Sequence, residues 1–335
     1  MSRDEINAIF DELEVPGVPD TTANEFAVRT RKMPGISGVW IGKDLRCRPA
    51  VLVSVEDDGG RTVSRVELSN FSYRPRARCL VRDDAGAESE RSLAVLLCLA
   101  EEDDLHRWFL RTAGALVRGL SSPITQAGLD AAVEHLVRLF VALGRTGSGT
   151  VQGLWGELLV LAHAQDPSFL LRAWHADPME PQDFIAGAHR VEVKTVTGGR
   201  REHHFSLDQL SCPEGCRLAV VSIQLKPTLS GPSVADLVDA VARRVDGGLA
   251  PKLHEVVAET LGSDWRRAVD QRYSVEGALD SLRVFDGAAI PQIRAATVPP
   301  EVREVRFIAE LWGVATLSPS DVAGVGLWAA LPLAR

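Results

Sequence analysis

The sequence predicts an α/β (α+β) protein, in which a mostly β N-terminal domain with helices is followed by an α/β core. Three observations predict this class. Apolar residues alternate in short runs through residues 36–100, they recur at helical spacing from Leu105, and strand-like and helix-like segments then alternate. We therefore divide the 335 residues into a β-rich domain at 1–104, a helical connector at 105–150 and an α/β domain with a C-terminal extension at 151–335.

The N-terminal domain begins with an acidic amphipathic helix, MSRDEINAIFDELEV. Five strand-like runs follow, and turn signals such as DDGGR separate them: GVWIG, PAVLVSVED, TVSRVELSNF, ARCLVRD and RSLAVLLCLA. The arginines of RPRAR alternate along one predicted strand and so should share a face. They form either a DNA-binding stripe or a solvated strand face: Arg74, Arg76 and Arg78.

The connector consists of two helices, LHRWFLRTAGALVRGL and AGLDAAVEHLVRLFVALG, with Ser122 and Pro123 placed to begin the second. GRTGSGT then forms a glycine-rich turn, and because it lacks the Gly-Lys-Ser/Thr ending of a phosphate loop we exclude an intrinsic ATPase. A third helix, VQGLWGELLVLAHA, opens the last domain.

The last domain is predicted to alternate between strands and helices. The expected order is strand FLLRAWHA, strand QDFIAG, strand HRVEVKTV, helix SLDQLS, strand RLAVVSIQL and helix SVADLVDAVARRV. A further helix, KLHEVVAETL, precedes short strands in YSVEGALDSLRVF and VREVRFIAEL. This order indicates a layered α/β domain and not a sandwich.

Composition narrows the class of protein. With 45% hydrophobic and 24% charged residues, the chain is an ordinary globular protein, and its net charge of −8 argues against whole-surface attraction to nucleic acid while leaving room for a local basic groove. No apolar run reaches the roughly 18 residues of a membrane span, and the N-terminal helix is not a signal peptide. We expect a cytoplasmic protein with no membrane partner.

The five cysteines are expected to be reduced thiols, since they are odd in number and no export signal precedes them. Cys212 and Cys216 form a C-x3-C pair that could in principle ligate zinc. No second pair completes four ligands. A turn with two incidental thiols is therefore the favoured interpretation.

The segment PQDFIAGAHRVEVKT carries the chemistry. Strand alternation places Glu192 and Lys194 on one face, and Asp183 ends the neighbouring strand. Strands lie about 4.8 Å apart, so Asp183 and Glu192 could share one divalent cation, with the Val193 carbonyl as a third protein ligand. Lys194 would then orient or deprotonate the attacking water, or neutralise charge at a scissile phosphate.

Glu157 lies in GLWGELLVL among leucines at helical spacing. A carboxylate surrounded by apolar side chains is costly to bury without a partner. We expect a metal-bound water or a second cation beside it. The alternative is a solvated residue on an exposed part of the helix.

The order of helix glutamate, aspartate and E-x-K resembles the PD-(D/E)XK nuclease superfamily, with the Pro-Asp pair loosened to P-Q-D by Gln182. A closer resemblance, carried by GLWGELLVL, PQDF, VEVKT and HHFSLDQL between Gly153 and Leu225, is to a bacterial family of stand-alone PD-(D/E)XK proteins. That family was first described as a domain of unknown function and is found in anti-phage defence clusters. The resemblance implies a restriction-endonuclease-like core, with a central mixed sheet flanked by helices. It also implies Mg²⁺, for which Mn²⁺ can substitute, and a catalytic set of Asp183, Glu192, Lys194 and Glu157.

Substrate contacts are predicted in the basic segment that follows the E-x-K strand. Arg200 and Arg201 could contact phosphates, or form only a solvated hairpin tip. One of His203 and His204 is expected to face the substrate phosphate or to cap the next helix. Gln209 could reach the edge of the metal site or a base.

We therefore expect a Mg²⁺-dependent DNA endonuclease of bacterial anti-phage defence or restriction. The alternative is a catalytically silent nuclease-fold subunit that binds DNA or acts as a scaffold; an unrelated acidic hydrolase would leave Lys194 without a task. The expected partners are DNA, other defence proteins including an ATPase, and a second copy of the chain, since cutting a duplex needs two sites. The sequence leaves the strandedness of the substrate open, and also the choice between DNA and RNA.

Overall fold

The computed structural model describes residues 4–16, 28–56, 65–82, 88–144, 147, 149–175, 180–265, 268 and 271–332. The chain divides into two compact units, Met1–Arg145 and Thr146–Arg335. Helices and strands occur in both, so the predicted α/β (α+β) class is confirmed. The stretch predicted as a helical connector, residues 105–150, supplies two helices of the first unit, and the boundary between the units falls near its end.

The first unit contains one antiparallel sheet in the order β1-β2-β3-β6-β5-β4. Its strands are β1 (Val28–Lys32), β2 (Val39–Asp44), β3 (Pro49–Val53), β4 (Val66–Glu67), β5 (Phe71–Arg82) and β6 (Glu88–Cys98). Its helices are α1 (Asp4–Glu12), α2 (Asp103–Arg118) and α3 (Gln126–Leu143). The third begins after Thr125, whose hydroxyl accepts from the Gly128 N–H, and not at Ser122–Pro123.

A bulge in β5 overturns the predicted arginine stripe. The register with β6 shifts between Arg74 and Ala77, so one additional residue lies between them. Arg74 consequently pairs with buried Val95, whereas Arg78 pairs with exposed Ser92 on the other face of the sheet. The two guanidinium groups leave opposite faces of the strand, so a single three-arginine face does not form.

The second unit is built on a mixed sheet in the order β11-β10-β8-β7, in which only β8 and β10 run parallel. These strands are β7 (Phe184–Ala186), β8 (His189–Thr197), β10 (Arg217–Leu225) and β11 (Arg283–Asp286). A separate antiparallel pair consists of β9 (Glu202–Ser206) and β12 (Arg306–Glu310). The mixed central sheet agrees with the prediction.

Helices cover one face of this sheet. Val193 of β8 and Val221 of β10 join the main apolar core with residues of the surrounding helices. On the opposite face, Val220 packs with Phe205 of β9 and Leu210 in a second cluster. The helices of the unit are α4 (Val151–His163), α5 (Pro167–Ala173), α6 (Leu207–Leu210), α7 (Val234–Ala242), α8 (Ala250–Leu261), α9 (Val275–Ser281) and α10 (Pro319–Val322).

Two segments predicted as strands are helices. In FLLRAWHA, the Asp166 carboxylate caps α5 by accepting from the Phe169 N–H at 2.9 Å, and Pro167 occupies the first turn. In YSVEGALDSLRVF, the Ser274 hydroxyl caps α9, and only the end of the segment forms a strand.

The GRTGSGT turn lies partly outside the described residues. Within the described part of the chain, no helix is long and apolar enough to cross a membrane.

Candidate metal centre

Glu192 and Lys194 project from the same face of β8, as strand alternation predicts. Lys194 Nζ lies 2.7 Å from Glu192 Oε1, and the glutamate is 1% exposed. The valines that flank Glu192, Val191 and Val193, project from the other face into the main core. The carboxylate is therefore buried, and the ammonium held beside it is partly exposed.

Gln209 of α6 holds this pair in place. Its Nε2 donates to Glu192 Oε1 at 2.6 Å, and its Oε1 accepts from Lys194 Nζ at 3.0 Å. The same Oε1 accepts from the Ser206 N–H at 3.1 Å as part of the capping box of α6. The ammonium also lies 5.2 Å from the centre of the Phe205 ring. Gln209 thus lies at the edge of the site.

Asp183 lies immediately before β7 and contacts the E-x-K strand through its backbone. The Val193 N–H donates to Asp183 Oδ2 at 2.7 Å. The N–H and C=O of one strand residue leave the same edge, so the Val193 carbonyl is directed toward the edge on which Asp183 lies. Gln182, the residue that loosens the Pro-Asp pair, is buried, and its amide donates to backbone carbonyls at the end of α6.

Glu157 is buried in the middle of α4, with 7% of its surface exposed. Its Oε2 accepts from Trp174 Nε1 at 2.7 Å and lies 3.1 Å from His175 Nε2. The alternative of a solvated helix residue is therefore wrong. The carboxylate points toward His175 and Asp183.

His175 completes a cluster of potential metal ligands with two carboxylates. Its backbone N–H donates to the Asp183 carbonyl oxygen at 2.8 Å, and its φ of 40° lies in the left-handed region. Ligand atoms of Glu157, His175 and Asp183 all lie within 4.8 Å of one another. No spacing signal indicates this histidine, because a fold-dependent turn brings it beside two distant carboxylates.

The site concentrates negative charge where little water reaches it. Burial, followed by the charges of Glu192 and Glu157, raises the pKa of Asp183 well above its ordinary value. Burial likewise raises the pKa of Glu192 from 4.5 to about 7, although Lys194 opposes the rise. Glu192 Oε2 is buried and has no hydrogen-bond partner within the described part of the chain. A hard divalent cation suits this set of oxygen donors.

The comparisons with known proteins identify the family. A family model described as "Putative PD-(D/E)XK family member (DUF4420)" matches residues 6–311. The chain belongs to this PD-(D/E)XK family. The match covers most of both units, whereas the motifs that carry the resemblance lie between Gly153 and Leu225. No curated protein and no solved structure matches the chain.

Two of the residues predicted to bind substrate in this PD-(D/E)XK protein are buried. His203 is 2% exposed, its Nε2 lies 2.8 Å from Ser222 Oγ, and burial lowers its pKa from 6.5 to about 4. Arg201 is 8% exposed and donates to the Ser222 carbonyl at 3.0 Å and to the Ser281 carbonyl. Both side chains join β9 to its neighbours and are not available to a phosphate.

The remaining predicted residues of the basic segment are accessible. His204 is exposed on β9, and exposed Arg200 lies 3.3 Å from Glu202. The C-x3-C pair, Cys212 and Cys216, consists of free thiols, and among the described residues neither belongs to a potential metal cluster.

Proposed function

We propose that this PD-(D/E)XK protein is a divalent-metal-dependent endonuclease that hydrolyses phosphodiester bonds in DNA. One observation carries the proposal. Helix α4, the residues before β7 and strand β8 bring Glu157, Asp183, Glu192 and Lys194 into a single charged cluster. Two of these carboxylates, Glu157 and Glu192, are buried and Asp183 is half-buried, so the three repel one another, and a bound cation removes that cost.

Asp183 and Glu192, with the Val193 carbonyl, would hold the cation, and Glu157 would bind the same cation, directly or through a metal-bound water. When bound, Mg²⁺ or Mn²⁺ would supply an activated water and neutralise charge on the phosphate. Glu192 has one oxygen occupied by Lys194 and Gln209, and the other is free to ligate.

Lys194 would position the attacking water or the scissile phosphate. Its side chain is 17% exposed, so the ammonium can meet a substrate while Glu192 and Gln209 fix its direction. Exposed Arg200 and His204 would contact neighbouring phosphates. Arg201 and His203, which are buried, would support this surface from below.

The family resemblance extends the proposal to a cellular role. We propose action in the cytoplasm in anti-phage defence or restriction. A homodimer would supply the two sites needed to cut a duplex, and other defence proteins, including an ATPase, would be partners.

A catalytically silent DNA-binding or scaffold subunit is the second candidate. One observation favours it: Lys194 is bonded to both Glu192 and Gln209, an arrangement that would also stabilise an inactive core. The two candidates differ in whether DNA is cut.

Incubation of the purified chain with supercoiled plasmid and Mg²⁺ or Mn²⁺ tests the proposal. We expect nicked or linear product, which Glu192→Ala and Lys194→Ala abolish. Exposed Glu276 and Lys226 provide matched controls, Glu276→Ala and Lys226→Ala, which should cut like the parent chain. Equal cutting by the site variants would reveal a contaminating nuclease, and DNA binding without cutting under either metal would favour the scaffold.

A further inference from the structure

His175 is held in an unusual backbone conformation at the metal centre. It follows α5, its φ is 40°, and its N–H is fixed on the Asp183 carbonyl. For a residue other than glycine, the left-handed region is strained, and such residues cluster at ligand clamps and active sites. The turn places the imidazole beside Glu157 and Asp183.

Pairing with Glu157 does not by itself explain the imidazole. Glu157 Oε2 already accepts a hydrogen bond from Trp174 Nε1 at 2.7 Å, and His175 Nε2 lies 3.1 Å from the same oxygen. The buried carboxylate therefore has a neutral donor without His175. The His175 side chain is 37% exposed, whereas that of Glu157 is 9% exposed, so the imidazole can contact an ion that enters the cluster from solvent.

The distances suit one ion. Two donor atoms each about 2.1 Å from a metal are at most roughly 4.2 Å apart. The donor atoms of Glu157, His175 and Asp183 lie within 4.8 Å of one another. A contraction of less than about 1 Å would bring all three to bonding distance around one cation. Buried Glu192, whose Oε2 has no partner among the described residues, lies outside this group of three and interacts electrostatically with Glu157 and His175.

The donor set selects among divalent ions. Carboxylates suit Mg²⁺, Ca²⁺ and Mn²⁺, whereas imidazole suits first-row transition metals. Mg²⁺ prefers oxygen ligands and retains several waters. Mn²⁺ is the ion that combines affinity for carboxylates with tolerance of nitrogen.

We propose that His175 is a nitrogen ligand of the metal at this site, and that the site consequently takes Mn²⁺ in preference to Mg²⁺. The inference rests on the proposed metal-dependent function of the same site and specifies which ion serves it. It also assigns a role to a residue outside the PD-(D/E)XK motif.

Metal binding by the full-length chain tests this directly. Mn²⁺ affinity is measured from the loss of the free-ion electron paramagnetic resonance signal, and Mg²⁺ affinity by competition. Pulsed spectra of bound Mn²⁺ report coupling to a ligand nitrogen. The test variant is His175→Gln, which retains an amide donor for Glu157, and the matched control is His163→Gln at the exposed end of α4.

We expect the parent chain and the His163→Gln control to show nitrogen coupling and to bind Mn²⁺ at least about tenfold more tightly than Mg²⁺. His175→Gln should lose the coupling and most of this preference, with a far-ultraviolet dichroism spectrum like that of the parent. Bound Mn²⁺ without nitrogen coupling, or an unchanged Mn²⁺ to Mg²⁺ ratio in His175→Gln, would overturn the ligand assignment and leave the nuclease proposal standing. If neither ion binds the parent chain at millimolar concentration, the proposed metal-dependent function fails as well.

Discussion

Lys194 occupies a position that depends on the shape of its side chain as well as its charge. Its ammonium is 2.7 Å from Glu192, 3.0 Å from Gln209 and over the Phe205 ring. Arginine carries the same charge on a larger planar group, which cannot occupy a point between these two acceptors.

We therefore expect Lys194→Arg to lower DNA cleavage by roughly 100-fold or more, the range of a lost proton-transfer or positioning group. Mn²⁺ binding should change little, since the carboxylates remain. Plasmid cleavage and metal titration measure the two effects, and Lys226→Arg on the exposed surface is the control. Cleavage by Lys194→Arg at the parent rate would remove the lysine from the mechanism.

At the residue scale, the sequence predicts what alternation and local spacing determine. Glu192 and Lys194 share a face because strand geometry has a period of two. The alternation of valines with charged residues in VEVKT is enough to predict this arrangement. His175 is invisible in the sequence, since its role depends on a left-handed turn and on two carboxylates from other elements. The burial of His203 and Arg201 is equally unpredictable from the sequence. Both side chains form hydrogen bonds with Ser222, which belongs to a strand that does not pair with β9.

At the scale of elements, the contact between α4 and β8 determines how Glu157 approaches the E-x-K strand. Gly156 lies on the inner side of the helix, and a Cβ there would come 2.3 Å from Thr195 Cγ2. The absence of a side chain thus permits the close approach of helix and strand.

Gly156→Ala should destabilise the chain by about 1–3 kcal/mol through overpacking, despite the better helix propensity of alanine. It should also weaken Mn²⁺ binding, because Glu157 moves with the helix. Urea unfolding and metal titration are the measurements. Gly277→Ala in α9, where the nearest atom is 3.4 Å from the new Cβ, is the control and should be neutral or stabilising. A fully stable Gly156→Ala chain would mean that α4 can shift without cost.

Element types are predictable where the periodicity is long, and short segments are the exceptions. FLLRAWHA has strand-like apolar content, but the preceding Asp166 and Pro167 form a helix start that only the wider context QDPSFLL reveals. Ser274 similarly begins α9 within a segment rich in strand-forming residues. In both segments, capping and packing outweigh the local propensity. The sequence does not predict the bulge in β5. Its one additional residue moves every later side chain of the strand to the opposite face of the sheet.

At the scale of the whole molecule, the site links stability to pH. Glu192 titrates near 4.5 when exposed and at about 7 in the fold, and the pKa of Asp183 is raised in the same direction. Between pH 4.5 and 7, the folded chain therefore binds more protons than the unfolded chain. Its free energy of unfolding consequently falls as pH rises through this window. Buried His203, with a pKa lowered to about 4, acts oppositely below pH 6.5.

The fall in the free energy of unfolding that Glu192 causes should largely disappear in Glu192→Gln, since the amide stays uncharged at every pH in the window. Without metal, the variant should gain on the parent chain between pH 5 and 8 by an amount on the order of 3 kcal/mol. Urea unfolding at several pH values measures the difference. Parallel pH profiles for the two proteins would show that Glu192 titrates normally.

Divalent metal should reverse this trend in the parent chain, because the ion binds the ionised carboxylates and competes with protons. At a free concentration of 100 times the dissociation constant, a bound ion adds about 2.7 kcal/mol to the free energy of unfolding. Mn²⁺ should therefore raise the melting temperature more at pH 8 than at pH 5. An equal rise in melting temperature at pH 5 and pH 8 would mean that the ion does not bind at the carboxylates whose pKa values are raised.

Trp174 lies where its fluorescence should report the binding of an ion at this site. Its indole nitrogen donates to Glu157 beside His175, so an arriving ion alters the polarity felt by the ring. Binding should change the intrinsic fluorescence of the chain, and the change should vanish in Trp174→Phe, although the six other tryptophans still emit. Occupancy can thus be followed in unlabelled protein, in real time and without any nucleic acid present.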